Sequence, residues 1–274
     1  MICLYIQAPF AACRTFTAGW YRPTAGFLTP SAAYGLLLNI AGIESRLREE
    51  DAAHDGSAPA SLIRPGLPSV EIAIGVPTIE VCGSARGQPV PAEDQYPRVQ
   101  SMYQQLHNYP VGTSGKERAE SCRGNKYNIT PVRREFLSSV RAIVALRGDP
   151  DFEDRILRGL RGEFNAGRYG IPYLGDNAFL LDRIDVVVEP VAVHWFEQQT
   201  SDSSGIRDHA TRMTIQIDRA DLSRTRTALF APGDEASSEA PSEAAWVTIN
   251  TVSPPPAAVP SKPTKTRKPQ ENGS

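Results

Sequence analysis

The order of apolar patterns along the chain is the feature that most limits its fold. Residues 2–8 alternate apolar and polar side chains, which is the period of a strand. Thr29-Pro30-Ser31 is a typical helix start, and residues 32–41 are apolar nearly all round, which predicts a buried helix. Further patterns predict a second strand region at 70–81, a strand at 133–146, a helix that begins at Asp149-Pro150, and a strand at 184–188.

The predicted order is therefore β-α-β, a long insertion, and again β-α-β. It indicates an α+β chain with a ferredoxin-like or RRM-type β-α-β-β-α-β palm, with both helices on one face of the sheet. Nucleotide-binding versions of that fold use the open face of the sheet and its loops. The insertion at about 83–131 is too long for a plain loop in a compact domain, so we expect it to contain a hairpin.

Three regions are expected along the chain. The palm, with its insertion, spans 1–190. Residues 191–252 carry three shorter strand patterns and predict a small C-terminal antiparallel β appendage. Residues 253–274 are rich in Pro and almost without bulky apolar residues, which predicts a disordered tail.

Composition and spacing exclude several classes of protein. The net charge of −2 argues against a uniformly basic coat for nucleic acid. The longest apolar run, 32–43, is too short to span a bilayer, and the N-terminus lacks the basic start of a signal peptide, so a cytoplasmic protein with no membrane partner is expected. The four cysteines have no paired spacing, and no phosphate-binding glycine motif follows a strand. No metal ion and no cofactor is predicted.

Nucleophilic or acid–base catalysis has weak support. No Gly-x-Ser-x-Gly motif surrounds any serine. His107 lies in the insertion with Lys116 and several tyrosines, and a metal-independent endoribonuclease could be built from such groups. Nothing in their spacing requires that chemistry, so the enzyme stays an alternative and no catalytic residue is assigned.

The insertion and the strand after it are basic. Between Arg98 and Arg141 there are eight Lys and Arg residues against three Glu, a difference of +5 in a chain whose total is −2. Four tyrosines, 96, 103, 109 and 127, are interleaved with these charges. Cations beside aromatic rings suit single-stranded nucleic acid, although a solvated loop has a similar composition.

Two segments resemble a known family. The first is the run RPTAGFLTPSAAYGLL at 22–37, which follows a short N-terminal strand, and the second is RYGIPYLGDN at 168–177. Together they resemble the CRISPR-associated Cas-five family of type I systems, over about residues 1–190. The similarity is greatest to its Dev-type branch.

The resemblance implies a fold and a function. Members have an RRM-like palm with a β-hairpin thumb, and the basic insertion falls where the thumb is expected. The family implies a non-catalytic subunit of the Cascade complex that holds the 5′ handle of the CRISPR RNA (crRNA) and caps the foot of the backbone. Implied partners are that RNA, backbone Cas-seven-type subunits, the large subunit and, indirectly, target DNA.

One branch of the family cleaves precursor crRNA with Tyr, Lys and an adjacent His. This chain has no Lys-His pair, since His107 and Lys116 are nine positions apart, so cleavage is not expected. A third interpretation is a ferredoxin-like protein-interaction module that binds no nucleic acid.

Candidate RNA-binding residues come from the first loop, the start of the first helix, the insertion, and the second family-like segment. Arg14 and Arg22 are expected to contact phosphates, and the helix start at Ser31 offers amide groups to an anion. Gly170 and Gly175 are expected to let RNA approach closely. The remaining candidates are Lys116, Arg118, Arg123, Lys126, Arg133, Arg134, Arg168 and Tyr169.

Overall fold

The structure is a computed structural model with a mixed α/β fold, a mostly antiparallel sheet and few helices. It describes residues 1–15, 20–47, 62–82, 85–110, 127–165, 170–200, 205, 207–219 and 221–250. The predicted tail at 253–274 lies outside the described residues. Among the described residues, no helix combines the length and the apolar character needed to cross a membrane.

The six elements expected for the palm are present in the expected order, with further strands between and after them. The strands are β1 Ile2–Ala11, β2 Tyr21–Arg22, β3 Val70–Pro77, β4 Ile79–Cys82, β5 Ala85–Pro89, β6 Arg98–Pro110, β7 Tyr127–Arg147, β8 Arg183–Val186, β9 Val193–Gln198, β10 Thr211–Gln216, β11 Arg226–Pro232 and β12 Val247–Ile249. The helices are α1 Pro30–Ile40, α2 Ala92–Gln95 and α3 Pro150–Leu160, with short 3-10 turns at Leu222–Arg224 and Glu243–Ala245.

Ten strands form one sheet whose main path is β10-β11-β9-β3-β7-β1-β8. Strand β12 also pairs with β3, and β2 and β6 also pair with β7. Every pairing in this sheet is antiparallel except the short contact of β2 with β7. Strands β4 and β5 form a separate two-stranded ribbon.

Helices α1 and α3 cover one face of the sheet. Each begins with the capping residue that its sequence suggests: Thr29 accepts a hydrogen bond from the Ala32 amide, and Asp149 accepts one from the Phe152 amide. The helices pack closely at Gly159, where a side chain would overlap the carbonyl oxygen of Ile40. The main hydrophobic core lies between these helices and the sheet.

The opposite face of the sheet is covered by the chain itself. Tyr5 of β1 is fully buried there, together with Ile143 of β7 and Trp195 of β9. Val81 of β4 and Ala245 near the C-terminal end complete this second apolar cluster. A nucleic acid could not reach the middle of this face without displacing protein, so this face differs from the open face that nucleotide-binding versions of the fold use.

Strand β7 is the longest element and belongs to two parts of the molecule. Its second half pairs with β1 and β3, and its first half pairs with β6 as a two-stranded arm. We call β6 together with residues 127–138 of β7 the arm. Ser139 has a positive φ of 59° at the junction, and the side chains that point into the core change there from odd-numbered, at Leu137, to even-numbered, from Val140 onward. The arm occupies the position predicted for the inserted hairpin.

The strands after residue 190 continue the same sheet. Strand β9 pairs with β3, β11 pairs with β9, and β12 pairs with β3. Arg147 of β7 holds this part in place, because its guanidinium donates to Glu71 and Glu243 and lies 4.2 Å from the ring centroid of Trp246. The expected boundary near residue 190 therefore stays a prediction.

Candidate nucleic-acid interface

The candidate binding residues divide into two groups. Arg14, Arg22, Ser31, Arg133 and Arg134 are described by the structure. The others lie outside the described residues, and they are Lys116, Arg118, Arg123, Lys126, Arg168 and Tyr169. The description of the site below therefore uses the residues of the first group.

The first loop folds back on itself and meets the arm. The Cys13 amide donates to the Thr24 hydroxyl at 3.0 Å, and the Ala25 amide donates to the Cys13 carbonyl at 2.7 Å. Between these contacts the loop carries β2, which runs parallel to β7 with Tyr21 beside Arg133 and Arg22 beside Arg134. These pairings bring the first-loop arginines to the arm.

Neighbouring residues of a strand point to opposite faces, so the arm base has two different surfaces. Arg22 and Arg134 share one surface, to which Arg14 and Asp176 also belong. We call these four residues the cationic face. Tyr21, Arg133 and Tyr103 of β6, which faces Arg133, share the other surface. We call these three residues the aromatic face, together with Trp20, which lies outside β2 and whose ring centroid is 6.4 Å from that of Tyr21.

Asp176 organises the cationic face. Its carboxylate accepts a hydrogen bond from Arg134 and another, at 3.3 Å, from Arg14. Arg134 also donates to the Gln104 amide oxygen at 2.6 Å, and its side chain is only 13% exposed. Burial raises the pKa of Asp176, but the bonds from Arg134 and the Ala178 amide, with the nearby positive charges, lower its pKa overall. Arg134 is thus a structural cation.

Arg14 and Arg22 are the cations that this face presents outward. The pKa of Arg14 is lowered, first by burial and then by the charge of Arg134, with a further contribution from Arg22, while Asp176 opposes the shift. The three arginines lie close together, because Arg14 and Arg134 bond to the same Asp176 carboxylate and Arg22 lies in register with Arg134. Within the described parts of the chain, no carboxylate pairs with Arg22. An anion bound there would relieve uncompensated positive charge.

The aromatic face combines exposed rings with one cation. Trp20 is 62% exposed and Tyr103 is 76% exposed. The guanidinium of Arg133 lies 5.5 Å from the ring centroid of Tyr21, and no described carboxylate pairs with Arg133. The Tyr21 hydroxyl donates to Glu135, and this bond is the main reason why the pKa of Tyr21 is raised.

The helix start at Ser31 is already contacted by the protein. Thr29 is buried and caps the Ala32 amide, and the Ser31 hydroxyl lies 3.3 Å from the Thr29 hydroxyl. The thiol of Cys13 also contacts Thr29, and burial raises the pKa of that thiol to about 11. An anion contact at Ser31 stays a prediction.

The two glycines of the second family-like segment have different surroundings. Both have a positive φ, 76° at Gly170 and 78° at Gly175. A side chain at Gly170 would meet no atom within 4 Å, whereas one at Gly175 would overlap the carbonyl oxygen of Ala12. Gly175 therefore lets the segment pack against the end of β1, where the Ala12 amide donates to the Leu174 carbonyl at 3.0 Å.

Sequence reasoning missed several residues of this site. Asp176 was part of a family-like segment, but its role depends on contacts with Arg14 and Arg134, which are far away in the chain. Trp20 and Tyr21 directly precede a candidate arginine, and that adjacency was the available signal. In the sequence, Tyr103 is one of several tyrosines interleaved with the basic residues of the insertion.

The described chain is thus a mixed α/β protein whose arm base collects arginines and exposed aromatic rings. It belongs to the family described as CRISPR-associated protein (Cas_Cas5), which matches residues 1–193. The resemblance found in the sequence is therefore confirmed, while the branch within the family stays a prediction. No curated protein matches the chain.

Solved structures with a similar fold include one named "CRISPR RNA-guided surveillance complex". Its TM-score is 0.50 at 13% identity, over 86% of this chain and 90% of that chain. Another, named "Crystal structure of Cas protein", has a TM-score of 0.40 at 14% identity, over 86% of this chain and 93% of that chain. At these identities the first likeness concerns the fold alone.

We predict that Gly175→Ala destabilises the protein by about 3 kcal/mol or more, because the new side chain meets backbone that cannot move without breaking a strand end. The matched control Gly170→Ala has the same unfavourable φ but open space, and it should cost only about 1 kcal/mol. Urea denaturation measures both. Equal losses for the two variants would contradict the close packing at Gly175.

We also predict that Asp176 contributes to stability in a pH-dependent manner. Because its pKa is lowered by folding, its contribution is fully present above the unfolded value of about 3.9 and is lost as pH falls through the folded value. Asp176→Asn should therefore be less stable than the parent at pH 7, and the difference should shrink in acid. Denaturation series from pH 7 to pH 3 check this, and a constant difference would contradict it.

Proposed function

We propose that this chain is a non-catalytic RNA-binding subunit of a type I CRISPR surveillance complex, Cascade. In this proposal it holds the 5′ handle of the crRNA and caps the foot of the backbone. The observation that carries the proposal is the cationic face, where Arg14 and Arg134 share the carboxylate of Asp176 and Arg22 lies in register with Arg134. Family membership supplies the context.

The sheet order supports a ferredoxin-like palm. The first, second, third and fourth palm strands correspond to β1, β3, β7 and β8, and they lie in the order β3-β7-β1-β8 with antiparallel neighbours. In a β-α-β-β-α-β chain, this order places both helices on one face, as α1 and α3 are placed here. We therefore assign the arm as the thumb of such a palm.

Because the second face of the sheet is covered by protein, we do not expect RNA to bind at the middle of the sheet. At the arm base, Arg22 and Arg133 have no carboxylate partner among the described residues, and Arg14 keeps 44% of its side chain exposed although it pairs with Asp176. Arginine forks bind phosphate oxygens with two parallel hydrogen bonds, and phosphate contacts set the position of an RNA strand without reading its sequence. We propose that Arg14 and Arg22 make such contacts, and that Arg134 and Asp176 hold Arg14 in place.

The proposed partners follow from the family and the proposed role. They are the crRNA handle, backbone Cas-seven-type subunits, the large subunit and, through the complex, target DNA. A cytoplasmic location is part of the same proposal. The similar solved structure is named as an RNA-guided surveillance complex, which is consistent with such an assembly.

We predict that replacing both Arg14 and Arg22 with Ala weakens binding of handle RNA about tenfold or more. It should also flatten the dependence of affinity on salt, because each lost phosphate contact on a single strand removes about 0.7 from the logarithmic slope. Titrations at several salt concentrations measure both effects. The control Arg161→Ala removes an arginine that is 60% exposed at the end of α3 and should change neither.

The same titrations test handle recognition in the assembled complex. Handle RNA should bind more tightly than a scrambled RNA of equal length. Equal affinity for the two RNAs, or an unchanged salt slope in the double variant, would contradict the proposed function.

We predict that the purified protein does not cleave precursor crRNA, either in EDTA or with divalent cations. The reason is that the sequence has no adjacent Lys-His pair, since His107 and Lys116 are nine positions apart. His107 lies in β6, and its side chain and the whole of Lys116 are outside the described residues. Gel analysis of labelled RNA measures cleavage. Cleavage in EDTA that is lost in His107→Ala would overturn the non-catalytic assignment and establish the alternative.

A further inference from the structure

The aromatic face exposes an unusual amount of ring surface to solvent. Trp20, Tyr21 and Tyr103 lie at the same end of the arm, and their exposed fractions run from 38% to 76%. Scattered exposed rings are common on proteins, but rings gathered on one strand surface leave apolar area that a partner can cover. The arrangement therefore calls for a ligand with a flat apolar surface.

The register of three strands sets the rings in a row. Tyr103 of β6 faces Arg133 of β7, and Arg133 lies beside Tyr21 of β2. Residues in register on neighbouring strands point to the same side, with about 5 Å between adjacent strands. The backbones of Tyr103 and Tyr21 are thus about 10 Å apart, with Arg133 on the strand between them.

The side chains in this row differ in how strongly hydrogen bonds and ring contacts fix their positions. Tyr21 is fixed by its bond to Glu135 and by Arg133, and the other oxygen of Glu135 accepts a hydrogen bond from the Thr24 amide at 3.3 Å. The Nε atom of Arg133 is buried and finds no hydrogen-bond partner in the described structure. Tyr103 is the most exposed ring of the face and projects into solvent.

We propose that the aromatic face is a stacking site for one unpaired nucleobase of the bound RNA. The base stacks on Tyr103, with Trp20 and Tyr21 as the adjoining apolar surface and Arg133 as the cation of the site. This inference rests on the proposed function, because the RNA is the same strand whose phosphates contact the cationic face.

Two features favour a nucleobase over a protein side chain. Planar rings and planar guanidinium groups are the partners on which unpaired RNA bases stack. The two faces are also the two sides of one narrow ribbon, and β2, its outer strand, is only two residues long. An RNA strand can therefore pass around β2 from one face to the other.

The site is expected to accept any base. Stacking uses the flat surface that all four bases share, so it discriminates weakly between them. The groups of the face that could read a base edge are few, since Glu135 is already engaged by Tyr21 and Thr24. The site would fix the path of the strand rather than read its sequence.

The test uses the full chain and handle RNA in which 2-aminopurine replaces one base at a time. Its fluorescence falls when it stacks on an aromatic ring, so one position should be strongly quenched. Tyr103→Ala should restore the fluorescence and weaken binding about tenfold. Tyr103→Phe, which keeps the ring, should do neither. Val188→Ala is the control, because Val188 is an apolar residue that is 76% exposed, as Tyr103 is, and belongs to neither face of the arm base.

An abasic nucleotide at the quenched position provides the decisive comparison. This abasic RNA should bind the parent protein about tenfold more weakly than intact RNA does. It should bind Tyr103→Ala as well as intact RNA does, because the two changes remove the same contact. If the two changes together reduced affinity by the product of their separate factors, the base would not stack on Tyr103 and the proposed stacking site would be wrong.

The remaining outcomes separate this inference from the function on which it rests. Unchanged quenching and affinity in Tyr103→Ala, with weak binding in the Arg14 and Arg22 double variant, would overturn the stacking site alone. Absence of any handle binding by the parent chain and its complex would overturn the proposed function. Normal RNA affinity with lost assembly in Tyr103→Ala would show that this face binds a protein, which also overturns the stacking site.

Discussion

The continuous hydrogen bonding of strand β7 is the constraint on which the rest of the molecule depends. One end of β7 lies between β1 and β3 in the core, and the other end pairs with β6 as the arm. Because a single strand carries both, the arm base cannot turn without disturbing the core ladder. Ser139 lies where the core-facing positions change parity, and this change sets which arginine points to which face. The site is therefore positioned by the interior of the protein.

The loops that complete the site are fixed to this strand by a few polar contacts. The Trp20 carbonyl accepts a hydrogen bond from the Arg133 amide at 2.8 Å, which holds the first loop along the arm. Asp176 joins Arg14 to Arg134 from a segment that Gly175 allows to pack on β1. Paired groups of this kind hold cations in place before a ligand arrives, so less conformational entropy is lost on binding. We see the cationic face as preorganised in this sense.

Local patterns were enough to predict the order of the first strands and helices and the basic character of the insertion. Alternation predicted β1, and capping residues predicted the starts of α1 and α3.

The division of Arg133 and Arg134 between two faces could not be predicted, because it depends on the pairing of residues 21 and 133 and on the change at Ser139. Strand β11 was missed because Arg226 and Thr227 weaken its apolar alternation. The covering of the second face depends on β4 and on the C-terminal strands, which no local pattern connects to it.

The most direct test of the central claim is to express the chain with its neighbouring genes, purify it, and sequence any RNA that accompanies it. The account predicts a short RNA with one constant 5′ end, retained by the parent complex and depleted when Arg14 and Arg22 are both changed to Ala. A monodisperse protein that carries no RNA would contradict this function and favour a protein-interaction module. Bound RNA with random 5′ ends would also contradict it.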